Sequence, residues 1–408
     1  MTRHLPRILL IAFLLRFLYV FLLIPFLSPF AGDGEFYRYL DGDGYMVHAA
    51  GYHAGEFFTT DEFLRRMPLY PALISFWTNF PGGWLSSEGQ IRLIQFWHIL
   101  LDLITTACVY LVVHRVIHAR AAFWSGLGYA VYPLAVYRLV MMGTEVIQGT
   151  ALALFIVGAV HFLQRPNLKS ALCLSILSTL ILLITPAFQF YPLFFGAAFF
   201  LFHSKTQAFR LAAVYLLPIL LILLLWGGRN YVVTGQYYLF DVRGGKEFWL
   251  GNHVESNGEW EGPYRHIWEA EVQETKQLIA RQGGTEHDEN RQFYRKGIQE
   301  ILSHPAQVLV LWYKKFWRFW YVPASKNMLW ATIPLQSVYL ALALTGLNYV
   351  RFRYAALNLI LSVIIYFTAI YTVSYACIRF SHPIMPWVSA LAGVGFASLI
   401  DRIRRKAV

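Results

Sequence analysis

Long apolar runs alternate along the chain with short polar punctuation, and run length decides which element each predicts. About 20 mostly apolar residues, rising 1.5 Å each, cross a hydrocarbon layer about 30 Å thick as a helix. Such runs predict helices over 8–28, 92–113, 121–141, 145–163, 170–185, 187–202, 209–226, 331–349, 355–373 and 383–400. The fifth and sixth are short and meet at Thr185-Pro186, so hydropathy alone admits one kinked span or two short ones. The first follows Arg3 and Arg7, and it is longer than the apolar core of a cleaved signal peptide. It reads as a transmembrane helix.

Charge chooses between the two counts. Basic residues favour the cytoplasmic side of short loops. Ten spans with both termini inside put Arg3 and Arg7, Arg115 and Arg120, Arg165 and Lys169, Lys205 and Arg210, and Arg351 and Arg353 on one side, together with the tail from Arg402 to Lys406. Merging the fifth and sixth helices would move the last three clusters outside, so ten spans are predicted. Two long segments then lie on the outer side, a first loop over 29–90 and a second over 227–330, and nearly all acidic residues fall in them. The predicted organisation is a transmembrane core over 1–226, a helical outer-side subdomain over 227–330 and C-terminal transmembrane helices over 331–408. In the subdomain, 264–282 and 286–303 read as polar helices, the second opened by a Thr285…Asp288 capping pattern. After Pro305 comes AQVLVLWYKKFWRFWYV, whose aromatic and basic content suits a helix lying in the membrane interface.

Composition strengthens the membrane reading. The chain is 57% hydrophobic and 14% charged, against roughly 25% charged in soluble domains. A net charge of +11 would suit nucleic acid, but the cations sit in short clusters between apolar runs, so no nucleic-acid partner is predicted. Cys108, Cys173 and Cys377 all lie in apolar segments without disulfide or metal-ligand spacing.

Candidate chemistry concentrates in the first outer loop. Asp33, Glu35, Asp41 and Asp43 crowd among glycines just past the first span. A helix from about Gly42 would line up Tyr45, His48 and Tyr52 on one face. Arg65 and Arg66 then precede Met67-Pro68-Leu69-Tyr70-Pro71, the start of an apolar helix. Carboxylates beside cations at the membrane surface suit attack on a lipid-phosphate sugar. A base takes the acceptor hydroxyl's proton, and positive charge stabilises the departing phosphate. Asp41-Gly42-Asp43 also spells the DxD of nucleotide-sugar enzymes, but no doubly wound nucleotide-binding domain accompanies it. A divalent metal held by Asp41, Asp43 and His48 stays open. Asp102 lies inside a predicted span, where an acid is either functional or an interhelix hydrogen-bond partner. Glu145 stands at a helix start, which the helix dipole alone would favour.

Taken in order, the motifs resemble GT-C glycosyltransferases. The likeness is to the bacterial branch related to protein O-mannosyltransferases and lipid A aminoarabinose transferases, glycosyltransferase family 39. It rests on Asp43-Gly44-Tyr45…Ala49 with Arg66-Met67-Pro68-Leu69-Tyr70-Pro71, and on Gln95…Leu101-Asp102…Thr105. It continues through Tyr132-Pro133 with Thr144-Glu145, Arg229-Asn230-Tyr231…Gly235, Trp249-Leu250-Gly251-Asn252, His304-Pro305…Lys315-Phe316 and Arg379-Phe380…Pro383…Pro386. The resemblance implies an all-α polytopic GT-C fold in a bacterial inner membrane, with a site facing the periplasm. The donor would be a polyprenyl-phosphate-linked sugar, the acceptor a glycan, lipid or protein, and the surroundings membrane lipids. It implies Asp43, or its rival Asp41, as catalytic acid of the first loop and Glu145 as the second acidic residue. Arg66, helped by Arg65, and Arg379 would bind the carrier phosphate, and Tyr45, His48, Tyr70, Arg229 and His382 are further substrate-binding candidates. Aminoarabinose transferases carry Lys-Pro-Pro where this chain has Arg66-Met67-Pro68, a departure that leaves the sugar open. Two rivals are an O-antigen ligase or polymerase, which the acid-rich first loop disfavours, and a lipid-carrier flippase, which would place charges along a central path.

Overall fold

The computed structural model describes residues 3–27, 40–56, 65–80, 83–259, 265–322, 328–350 and 355–406. Asp33, Glu35, Arg351 and Arg353 lie outside the described residues. Among the described residues the regular elements are all helical. Seven are long and apolar enough to cross a membrane: Leu5–Leu23, Ser87–Val116, Glu145–Gln164, Lys205–Thr234, Leu329–Tyr349, Ala355–Val373 and Ile378–Arg405. Leu168–Leu182 and Pro186–Phe202 are shorter apolar helical segments. The result is a polytopic membrane fold.

The short pair stays separate for a local reason. Leu168–Leu182 is opened by a reciprocal capping box between Asn167 and Ser170 and ends before Thr185. Thr185 is extended, and its hydroxyl accepts the N–H of Ala187 to start a single 3-10 turn, Pro186–Phe188. The expected span 121–141 is also interrupted. Ala119–Ala130 ends at Val131, and a six-residue helix, Pro133–Arg138, follows. Pro133 disfavours helical geometry in the residue before it, and Tyr132 is accordingly extended. The break turns the chain so that Arg138 reaches the site described below.

The C-terminal helix Met385–Lys406 is central and packs against Leu329–Val350 and Ala119–Ala130, with Ser125 Oγ donating to Ala390 O at 2.7 Å. A charged clip lies deeper in the bundle. Arg16 donates through Nε to Asp102 Oδ2 at 2.5 Å and through a terminal nitrogen to Ala130 O at 2.7 Å. Tyr129 donates its hydroxyl to the other Asp102 oxygen at 2.5 Å. Three helices are thereby tied together, which is how such charge survives in an apolar bundle. Asp102 is an interhelix partner here.

The segment 227–330, expected on the outer side, contributes Gly244–Asn252, Arg265–Arg281 and Glu286–Ser303 around a small core of Trp249, Leu250, Trp268, Val272 and Phe293. Pro305–Tyr321 is amphipathic, burying Val308, Leu311 and Phe319 while Leu309, Tyr313 and Trp317 stay exposed. Lys315 on its inner face is fully buried. It donates to Asn252 Oδ1 at 3.2 Å and to the carbonyls of Val373 and Ser374 at 3.1 and 2.9 Å. Burial, reinforced by Arg318, pushes its ammonium down to about 6. This contact pins the outer segment to the chain end that runs into Arg379.

Candidate active site

A backbone hydrogen bond joins the two acidic stretches: Met142 N donates to Leu40 O at 2.8 Å. Asp41 and Asp43 therefore approach the turn that leads into Glu145. The two aspartates then diverge. Asp41 accepts the first two N–H groups of helix Tyr45–His53, from Tyr45 at 2.7 Å and Met46 at 2.9 Å. Those groups have no partner within the helix, so Asp41 serves as its cap. Gly44, at φ +73°, makes the turn between them, a conformation other residues adopt only with strain.

Asp43 faces cations instead. One oxygen meets Arg66 at 3.1 Å and the other meets Arg379 at 3.0 Å, while Arg66 also donates to the Asp43 carbonyl at 2.6 Å. Arg379 reaches on to Glu145 at 3.6 Å. The other Glu145 oxygen takes two hydrogen bonds from Arg138, at 3.1 and 2.5 Å. The result is a chain of alternating charge, Arg66–Asp43–Arg379–Glu145–Arg138, with three guanidiniums to two carboxylates. Gly143 makes its inner end feasible, because a Cβ there would lie 2.3 Å from both Arg138 and Glu145 side-chain atoms. Exposure peaks in the middle of the chain: the Arg379 side chain is 40% exposed and that of Glu145 4%, against 15% for Arg66 and 12% for Arg138. Arg379 is thus the open link.

The surroundings fix these groups. Arg66 stacks over the Tyr45 ring at 4.9 Å, and Tyr45 meets Tyr70 edge-on at 4.8 Å. The Tyr70 hydroxyl lies 2.9 Å from His98 Nε2, and His98 Nδ1 lies 3.1 Å from Leu139 O. A carbonyl can only accept, so Nδ1 carries the proton and Nε2 accepts from Tyr70. Burial alone would raise the Asp43 carboxyl, but Arg379, Arg66 and more distant Arg243 and Arg138 outweigh it and hold it below the usual range. Asp41 is raised, chiefly by burial, against the opposing pull of its backbone hydrogen bonds. Burial pushes the Tyr45 hydroxyl up to about 12 and, with the nearby arginines, the His48 ring down to about 4. His48 is therefore neutral at physiological pH.

Other candidates fall elsewhere. Arg65 points outward to Glu286, 2.5 Å away, in a surface pair whose arginine side chain is 53% exposed. His382 is buried in the 3-10 turn Ile378–Ile384 that carries Arg379. Arg229, near the C-terminal end of Lys205–Thr234, stacks on Trp226 at 5.4 Å and is close enough to Tyr52 to act on it electrostatically. Sequence reasoning missed Arg138, although it is the one charged residue in the apolar run 121–141. It missed also Asp241, Arg243 and Glu247 of the outer segment, whose charges act on Arg66 and Asp43. Burial and Glu247 raise the Asp241 carboxyl to about 6.

Asp41, Asp43 and His48 do not gather as metal ligands. Among the described residues the group close enough to share an ion is His253, Glu255 and Glu271, with donor atoms all within 4.8 Å of one another. That candidate divalent-metal site carries a proton. Ser256 N–H donates to His253 Nδ1 at 3.2 Å, leaving the ring hydrogen on Nε2, which faces Glu271 at 2.9 Å. An ion bound at Nε2 would first have to release it.

No protein-family model and no curated protein matches the sequence. Solved structures do match the fold. The chain is similar to the oligosaccharyltransferase AglB from Archaeoglobus fulgidus in complex with an inhibitory peptide and a dolichol-phosphate, with a TM-score of 0.53 and 13% identity over 99% of this chain and 52% of that one. The same enzyme in complex with zinc and sulfate gives a TM-score of 0.54 at 16% identity, over 97% of this chain and 49% of that one. ArnT from Cupriavidus metallidurans bound to undecaprenyl phosphate gives 0.48 at 12% identity, over 86% of this chain and 54% of that one. The chain thus spans about half the length of these proteins. With helices as its regular elements and seven of them long and apolar enough to cross a membrane among the described residues, and with this likeness, the chain has a GT-C-like polytopic membrane fold.

Proposed function

We propose that the protein is an inverting glycosyltransferase that moves a hexose or pentose from a polyprenyl-phosphate carrier to an acceptor hydroxyl on a glycan, lipid or protein. The observation that carries this reading is the Asp43 carboxylate held between Arg66 and Arg379. It joins a base and two phosphate-binding cations in one contact. Donor phosphate enters at the exposed Arg379 and competes with Asp43 for the guanidiniums. Once displaced, the carboxylate is a stronger base, since its depressed pKa came from those arginines. Asp43 then takes the acceptor hydroxyl's proton as the acceptor oxygen bonds to the anomeric carbon. The anomeric carbon–oxygen bond to phosphate breaks on the opposite face, and its electron pair leaves on the phosphate under Arg66 and Arg379. Glu145, fixed by Arg138, orients Arg379. Asp41 holds the loop and does not react.

The reading also assigns sides. Glu145 opens helix Glu145–Gln164 and basic Arg165 follows its far end. Lys205 opens a helix whose other end carries Arg229. The acid–arginine cluster and the short basic clusters therefore occupy opposite ends of the bundle, in keeping with a bacterial inner membrane and a periplasmic site. The candidate domains follow: a catalytic core over 1–226, a cover that selects the acceptor over 227–330, and closing helices over 331–408. The dolichol-phosphate of the AglB complex supports a lipid-phosphate donor.

The test is sugar release from a panel of synthetic polyprenyl-phosphate sugars by the purified full chain, with water or added acceptor as nucleophile and with or without chelator. Turnover of one donor, lost in Asp43→Asn, is expected. Absence of both turnover and carrier binding across the panel would overturn the assignment, and loss of turnover on chelation would transfer a catalytic role to a metal.

A further inference from the structure

A second charged feature lies at the opposite end of the bundle. A shallow, largely open groove of about 520 Å³ lies beside the turn between helices Tyr191–Phe202 and Lys205–Thr234, lined by Phe200, Lys205, Thr206, Phe209 and Arg210. Lys205 with Phe209 and Thr206 with Arg210 are i,i+4 pairs, so the two stripes adjoin on the helix. Both cations are exposed. Between Glu145 and Asp241 the sequence has no carboxylate at all, and neither cation has an ion-pair partner among the described residues. The aromatic walls are open as well, Phe200 being 50% and Phe209 68% exposed, beside Leu201 at 79% and Phe202 at 74%.

Membrane position gives these features one meaning. The 30-residue helix from Lys205 is about 45 Å long, against about 30 Å of hydrocarbon, so its first turn lies at headgroup level. Basic clefts between transmembrane helices at that depth bind acidic lipid headgroups. We infer that the groove at Lys205 and Arg210 is a binding site for an anionic glycerophospholipid, its phosphodiester between the two cations and its acyl chains along Phe200, Leu201, Phe202 and Phe209. The site is separate from the arginine cluster: it lies at the other end of the helix that carries Arg229, about 36 Å from that residue at 1.5 Å per residue.

The test uses the full chain in phosphatidylcholine nanodiscs into which phosphatidylglycerol is titrated. Melting temperature and native mass spectrometry report stabilisation and retained lipid. Phosphatidylglycerol should stabilise the wild type and stay bound, the Lys205→Gln/Arg210→Gln variant should bind it about tenfold or more weakly, and Lys205→Arg/Arg210→Lys should keep it. Equal stabilisation by both lipids, or unchanged binding to the double glutamine variant, would overturn the inference. Should that variant fail to fold, photoactivatable phosphatidylglycerol on the wild type decides: adducts at 200–210 support the site, and adducts spread evenly over the helices refute it. Capture there of polyprenyl phosphate but not phosphatidylglycerol would also refute it.

Discussion

Two arginine–carboxylate constellations occupy this molecule, and they differ in one respect that matters. Around Asp102 everything closes. Both side chains of the Arg16 pair are almost fully buried, and Tyr129 and the Ala130 carbonyl occupy neighbouring donor and acceptor positions. Around Asp43 the same chemistry is left open. The carboxylate is 18% exposed, and Arg379 combines two acidic partners with a 40% exposed side chain. A closed pair has no room for a ligand and holds helices together. An open pair can exchange one anion for another, which is what binding a phosphate requires.

Substitutions should separate the two. Asp43→Asn is expected to lower turnover by about a thousandfold, within the range for loss of a general base, with the melting temperature lowered far less than by Asp102→Asn. Because the Asp43 carboxyl is depressed in the folded state, the stability its ion pairs confer is complete above the usual carboxylate pKa near 4 and fades as pH falls through the lower folded value. The acid limb of kcat/KM should accordingly lie below pH ~4 and move upward in Arg379→Gln. A limb that stays put would remove Asp43 from the base role. Gly143→Ala pushes a methyl into the Arg138–Glu145 contact, and initial rates should fall roughly ten- to a hundredfold through misplacement of Arg379. Asp102→Asn should act on the other observable. Leaving Arg16 unpaired costs about 3–5 kcal/mol of stability, read by thermal melting, while the rate per folded molecule stays within about twofold. The double change Arg16→Met/Asp102→Leu should recover most of it. Arg65→Ala should matter least, since exposed ion pairs contribute about 0–1 kcal/mol; a large rise in KM would instead return Arg65 to the phosphate.

Much of this arrangement is legible in the sequence, and the reasons for the gaps are physical. The apolar helix runs follow from hydropathy, and the structure gathers Asp43, Arg66, Glu145 and Arg379 into one cluster. Spacing could not separate Asp41 from Asp43, because either could face the cations until one of them capped a helix. Neither could it separate Arg65 from Arg66, adjacent residues that leave the backbone in different directions. Arg138 was hidden by the averaging that found the spans: one cation in 21 apolar residues barely lowers a hydropathy window, yet Tyr132-Pro133 breaks the helix and delivers it to Glu145. Gly143 carries no sequence signal beyond being a glycine, since its role is to leave space.

If the chain transfers sugar as proposed, the odd number of charges in the cluster bears on product inhibition. A sugar phosphodiester donor carries one negative charge, whereas the spent carrier is a monoester approaching two at neutral pH. Three guanidiniums against two carboxylates leave one positive charge over, so the product should be held more tightly than the substrate. Under that proposal, sustained flux would depend on how fast spent carrier is drawn away from Arg66 and Arg379.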